Sequence, residues 1–203
     1  TVKLPKEPEL IPILPTSPTT LNLLRTELPG IVTIHRTADL ESPPESWESV
    51  MEKHDCCFLT VVERYGKNGG IGYGLLQNFG LQNGAVASSV GHDAHNIVLA
   101  GDNVADMKIA LAEIEKTQGG VVVVSGGKIQ AKVDLPIAGL LSDKRATVVA
   151  EETSKLKEAW KSLGCTLPYM GFNLLPLSVI PEIRLTDKGL VTVPGMKVLP
   201  LYE

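Results

Sequence analysis

The sequence predicts an α/β fold: a mixed β-sheet packed with helices and including a βαβ crossover. Short β-branched runs, CCFLTVV from Cys56, IVLAG from Ile97 and VVVV from Val121, alternate with stretches of helical period. IVLAG, VADMKIALAEIEKTQ and VVVV also follow one another at the spacing of a strand, a crossover helix and a strand. With 203 residues and 43% hydrophobic content, the chain can bury a real core.

Taken in order, the N-terminal stretch places Pro5, Pro8, Pro12, Pro15 and Pro18 every three or four positions. That spacing forbids a helix and favours an extended connector. Leu21 to Leu28 has the spacing of a short helix stopped by Pro29-Gly30, and IVTIHRTA then alternates like a strand with His35 on its polar side. A proline-rich turn leads into a short helix that packs down Trp47, Val50 and Met51. CCFLTVVERYG is a buried strand with Glu63 and Arg64 at its polar end, closed by the KNGG turn at Lys67 to Gly70. The glycine-dense IGYGLLQNFGLQNG implies tight turns or close backbone approach rather than a long regular element.

AVASSVG and IVLAG read as strands joined by the HDAHN turn. Asp102 or Asn103 caps the next helix, whose buried face carries Val104, Met107, Leu111 and Ile114 and which ends at Gly119-Gly120. VVVV and IQAKVDL form a hairpin around SGGK. Ser142 or Asp143 is the expected cap of a helix running to Leu163, with Val148, Val149, Leu156, Trp160 and Leu163 on its apolar side. Beyond Pro168 the prolines allow only short pieces, with a TDKG turn at Thr186 before a last strand. Residues 1–55 are thus expected to be a connector with a strand and helix segment, and residues 56–203 the α/β domain.

Composition excludes several classes of function. A net charge of -4, with 19 Lys and Arg scattered among 23 acids, offers no field for nucleic acid. No stretch approaches the ~20 apolar residues that cross a bilayer, and the N-terminus lacks the pattern of a signal peptide. Three cysteines without framework spacing fit small buried hydrophobes in a reducing cytoplasm.

Ser88 to Asp102, SSVGHDAHNIVLAGD, concentrates the candidate chemistry. His92 and His95 can reach one metal only if the backbone turns, which Gly91 permits, and the HxxH spacing is weaker than HExxH on a helix. Ser88 and Ser89 precede them without a GxSxG elbow. GKNGGIGYG, Gly66 to Gly74, opens no periodic helix, so turns are favoured over a phosphate cradle. Four histidines, with no HxH strand, cannot furnish a metal-dependent deaminase barrel.

GAVASSVGHDAHNIVLAGDNVADM from Gly84, GGVVVVSGGKI from Gly119, LPIAGLLSD from Leu135 and LGCTLP from Leu163 resemble, in order, the C-terminal domain of microbial adenine deaminases of the amidohydrolase superfamily. The likeness runs from about Phe58 to Glu203. It implies that residues 56–203 are that domain, acting in purine salvage with a metal-binding barrel N-terminal to it. It further implies adenine as substrate, a divalent transition metal (Mn, Fe or Zn) in the full-length enzyme, and a chain inactive by itself.

His92, Asp93, His95 and Asn96 fall on the family's HDSHN-like block. They are therefore expected to be auxiliary catalytic residues at the barrel mouth, with Ser88 and Ser89 binding substrate and His92 and His95 holding an accessory metal. The alternative is a non-catalytic domain that stabilises the fold and a homo-oligomer.

Overall fold

The computed structural model describes residues 2–27 and 31–203. Eight strands form one mixed sheet: β1 (Thr19–Thr26), β2 (Thr33–Leu40), β3 (Cys56–Val62), β4 (Ile71–Gln77), β5 (Ala85–Gly91), β6 (Asn96–Gly101), β7 (Gly120–Ser125) and β8 (Lys128–Asp134). Their order is β2-β1-β4-β3-β6-β5-β7-β8, with β1 and β4 parallel and the other neighbours antiparallel. Helix α2 (Val104–Thr117) makes the expected crossover from β6 to β7. Both strands run antiparallel to β5, so they are parallel to each other with β5 inserted between them.

Both faces of the sheet are covered. On one, α1 (Trp47–His54), α2 and the N-terminal segment pack over Phe58, Leu75, Ala87, Leu99 and Val122. The other carries α3 (Ala146–Ser162), α4 (Tyr169–Phe172) and a second sheet of β9 (Ile183–Thr186), β10 (Gly189–Thr192) and β11 (Lys197–Leu199). Burial on both faces explains why the central strands read as continuous apolar runs.

Three expectations are corrected. Residues 21–26 are strand, not helix: Leu21 and Leu23 face one core and Leu24 the other, and β1 pairs along all eight residues with β2. Clustered leucines satisfy either period, and sheet pairing decided between them; the stop expected at Pro29-Gly30 lies outside the described residues. The glycine-dense segment does contain a regular strand, β4, and close approach explains its glycines, since a Cβ on Gly72 would lie 1.9 Å from the Thr186 carbonyl oxygen. Helix α3 starts at Ala146 with no side-chain cap; Ser142 Oγ instead accepts from the Lys144 amide (3.3 Å), and Val148 is 40% exposed.

The proline-rich segment is extended as expected, but it is fastened down. Leu10 is buried, its carbonyl accepts from Thr60 Oγ1 (2.7 Å), and Pro12 accepts from the Trp47 indole (2.9 Å). The main sheet continues without a break across residue 55. Asn103 caps α2 by accepting from the Asp106 amide (2.8 Å), while Asp102 holds the amides of Asn83 and Gly84.

Candidate functional site

The HDAHN segment is the tip of the β5–β6 hairpin. Ser88 pairs with Val98 and Gly91 with Asn96, with an irregularity between them that lets the chain turn over four residues. His95 adopts a left-handed backbone (φ 54°), a conformation uncommon outside glycine in which asparagine, aspartate and histidine are the side chains most often found. The turn brings the two imidazoles together, their centroids 5.2 Å apart and the rings inclined at 60°.

Neighbouring elements hold the turn from several sides. The His92 amide donates to the Asn173 carbonyl (2.8 Å), and the Tyr65 hydroxyl donates to the Ala94 carbonyl (2.7 Å). Arg64, 1% exposed, donates through Nε to the His95 carbonyl and through Nη2 to the Ala138 carbonyl (2.8 Å), and its guanidinium lies 4.7 Å from the centre of the Tyr65 ring. Gly139 makes room for it: with φ at +73°, a Cβ there would stand 2.6 Å from Arg64 Nη1. Arg64 therefore ties the HDAHN turn to the loop at 136–141.

The candidate residues fall into two groups. His92 and Asp93 are accessible, with side chains 38% and 79% exposed and His92 Nδ1 3.9 Å from Asp93 Oδ1. His95 Nδ1 and Asn96 Oδ1 are enclosed and without a hydrogen-bond partner. Burial lowers the His95 pKa from its ordinary value, and the charges of His92 and Arg64 lower it further, so the ring is neutral near pH 7.

Ser88 and Ser89 were expected to bind substrate, yet both are fully enclosed and engaged by backbone. Ser88 Oγ accepts from the Val90 amide (3.1 Å). Ser89 Oγ accepts from the Gly120 amide (2.9 Å) and donates to the Gly139 carbonyl (2.6 Å). In this arrangement they hold the hairpin and the 136–141 loop in place.

A cavity of about 180 Å³ lies beside the turn, bounded by Gly91, Asp93, Asn96, Leu177, Ser178 and Asp187, below the 300–1,000 Å³ usual for ligand pockets. A cleft of about 630 Å³ lies instead between the N-terminal segment and α2, away from the histidines. Among the described residues, no three or more His, Cys, Asp or Glu side chains are grouped to hold a metal. Two imidazoles and a carboxylate are the residue types of an open metal site, but in the turn they are not grouped to converge on one ion, so the turn alone does not fit a metal.

Sequence reasoning noted Glu63 and Arg64 only as a polar strand end. The available signal was a charged pair closing an otherwise apolar strand. Burial pushes the Glu63 carboxyl up, but donation from the amides of Tyr65, Lys67, Asn68 and Gly69 outweighs it and leaves the pKa low. The N–H groups a phosphate cradle would need are thus occupied by the chain's own carboxylate. Burial raises the thiols of Cys56 and Cys165 to about 12 and that of Cys57 well above its usual value, which excludes a ready nucleophile.

The sequence model of the adenine deaminase C-terminal domain matches residues 30–197. The chain belongs to that family. It is 60% identical over 204 residues to adenine deaminase 3 of Rhizobium johnstonii and 59% identical over 204 to an adenine deaminase of Chelativorans sp., in each case covering all of this chain and 34% of the relative. An adenine deaminase of Dehalococcoides mccartyi is 40% identical over 178 residues, 85% of this chain and 31% of that protein. The chain therefore spans about a third of the length of the curated relatives it matches. No helix among the described residues is long and apolar enough to cross a membrane.

Proposed function

We propose that a full-length protein carrying this domain hydrolyses adenine to hypoxanthine and ammonia in cytoplasmic purine salvage, and that this domain presents its His92–Asn96 turn to the mouth of the purine pocket. The observation that carries the placement is the turn itself, two adjacent imidazoles and an exposed carboxylate on a hairpin tip braced by a buried arginine. The reaction rests on family membership and on the names of the relatives.

The divalent metal that this activity implies (Mn, Fe or Zn) finds no grouped set of ligands among the described residues, so we assign its catalytic site to the preceding barrel. His92 and Asp93 are the members that can touch purine or an accessory metal shared with that barrel. His95 and Asn96 orient them, and the neutral His95 ring can exchange hydrogen bonds without a charge to desolvate. Ser88 and Ser89 act through the backbone they hold.

Alanine at His92 and His95 in the full-length enzyme should lower kcat/KM for adenine by about 10²-fold, the usual weight of a positioned acid–base group, or reduce metal content. Wild-type values for both would leave the second reading, a structural and oligomerisation domain, which the backbone-engaged serines favour. The 203-residue chain alone is expected not to deaminate adenine.

A further inference from the structure

We propose that the end of the main sheet formed by the HDAHN turn, Tyr65 and the loop at 136–141 is the surface on which the preceding domain of the full-length protein sits, with Ile137 and Leu141 as its apolar anchors. The proposal rests on the reading above that this chain is one part of a longer adenine deaminase. It adds which face is covered, and by which residues.

The path of the N-terminal residues points to this end. Lys3 forms a bridge with Tyr65, and its amide donates to the Arg64 carbonyl (2.7 Å). The Val2 amide donates to Gln118 Oε1 (3.0 Å), and the Gly119 carbonyl accepts from the Leu135 amide (3.0 Å) at the root of the 136–141 loop. Residues 2 and 3 therefore lie against the Arg64–Tyr65 corner and Gln118, next to the root of that loop. In a protein of the relatives' length, of which this chain covers about a third, the polypeptide before residue 2 arrives here.

The chemistry of this end suits a docked domain. Leu141 is 63% exposed, Ile137 48% and Tyr65 38%, on segments joined through Arg64 and the Tyr65–Ala94 hydrogen bond. A rigid apolar loop beside a polar turn is the composition of an interface centre with its rim. The loop is held rather than loose: the Leu140 and Leu141 amides donate to the Ile137 carbonyl, and Ser89 donates to the Gly139 carbonyl. Two loops braced together can be covered with little loss of conformational freedom. Met196 and Val198 are similarly exposed but belong to the β10–β11 hairpin of the separate small sheet, which makes them suitable controls.

The test uses a full-length enzyme carrying this domain. Ile137→Lys with Leu141→Lys should speed limited proteolysis between the two domains by about tenfold, equivalent to ~1.4 kcal/mol of docking energy. Met196→Lys with Val198→Lys should leave that rate as in the wild type. Equal rates for the loop variant and the wild type overturn the proposal.

Hydroxyl-radical footprinting of the unmodified enzyme checks it without a substitution. Protection of Tyr65 and Leu141 supports the proposal, and labelling at the rate their exposure here implies overturns it. Both readouts are independent of turnover. Loss of activity in the His92 and His95 variants with an unprotected loop would leave the catalytic reading standing and remove this one; the reverse pattern would do the opposite.

Discussion

Replacing Arg64 by methionine removes the brace while keeping most of the apolar volume. Two hydrogen bonds from a charged donor are lost, to the carbonyls of His95 and Ala138. Each is worth about 1.5–3 kcal/mol. Part of this is returned because Arg64 is 1% exposed and, among the described residues, has no carboxylate within ion-pair distance, so its burial carries an uncompensated desolvation cost. The net loss should be about 2–4 kcal/mol, which for a chain of this length lowers Tm by roughly 5–15 °C.

Scanning calorimetry measures the stability change, and amide exchange across residues 92–95 measures its local part. Lysine should not rescue the variant, because one ammonium on a flexible stem cannot span two carbonyls as a planar guanidinium does. Removing the Arg64 charge should also move the His95 pKa up toward its ordinary value, since that charge is one of the causes holding it down. A methionine variant that melts within about 1 °C of wild type, with unchanged exchange in the turn, would refute the assignment of Arg64 as the brace.

Gly72→Ala should cost about 2 kcal/mol or more, read as a lower urea midpoint, because the added Cβ meets a backbone oxygen of the crossing sheet; Gly126→Ala, with φ +58° and nothing within 4 Å, should cost only the ~1–2 kcal/mol of a left-handed alanine. Lys132 donates to Glu113 (2.8 Å) and holds that carboxyl below the usual range. Its stabilisation is therefore complete above the unfolded glutamate value of about 4.3 and disappears as pH falls through the lower folded value; Glu113→Gln should lower the urea midpoint at pH 7 and match wild type near the acid limit. Cys56 and Cys165, with thiols raised to about 12, should react with iodoacetamide at pH 8 at least ~100-fold more slowly in the folded protein than in guanidinium; comparable rates would contradict their burial.

The elements read most clearly from sequence were those with one dominant period. VADMKIALAEIEKT has a single apolar stripe and an asparagine cap, and VVVV can only be buried strand. LNLLRT was illegible because its leucines fit a strand buried on both faces as well as a helix, and the deciding partner, β2, pairs through backbone groups, so nothing in its side chains says which segment it will pair with. The close approach at Gly72 could be anticipated from glycine density, but not that Thr186, more than a hundred residues later, would be the neighbour.

The site divided along the same line. A hairpin tip of two histidines, an aspartate and an asparagine stands out in sequence because such side chains are seldom gathered between apolar strands without reason. The brace did not stand out, because a single arginine at a strand end ordinarily snorkels to solvent. Only the fold shows that the 136–141 loop closes over Arg64 and that Gly139 leaves it space. Arg64 in turn makes the turn's polarity usable: a hairpin tip stabilised only by itself would fluctuate, whereas one anchored at His92, Ala94 and His95 by two separate segments, Arg64–Tyr65 and Asn173, presents its two rings in a fixed relation. Fixed presentation has value only to something placed against it, and the chain's own neighbouring cavity, about 180 Å³, is too small to be that partner. The hydrogen-bonded turn and the exposed leucine and isoleucine of the loop joined to it through Arg64 are what the proposed seating of a preceding domain on this end of the sheet would use.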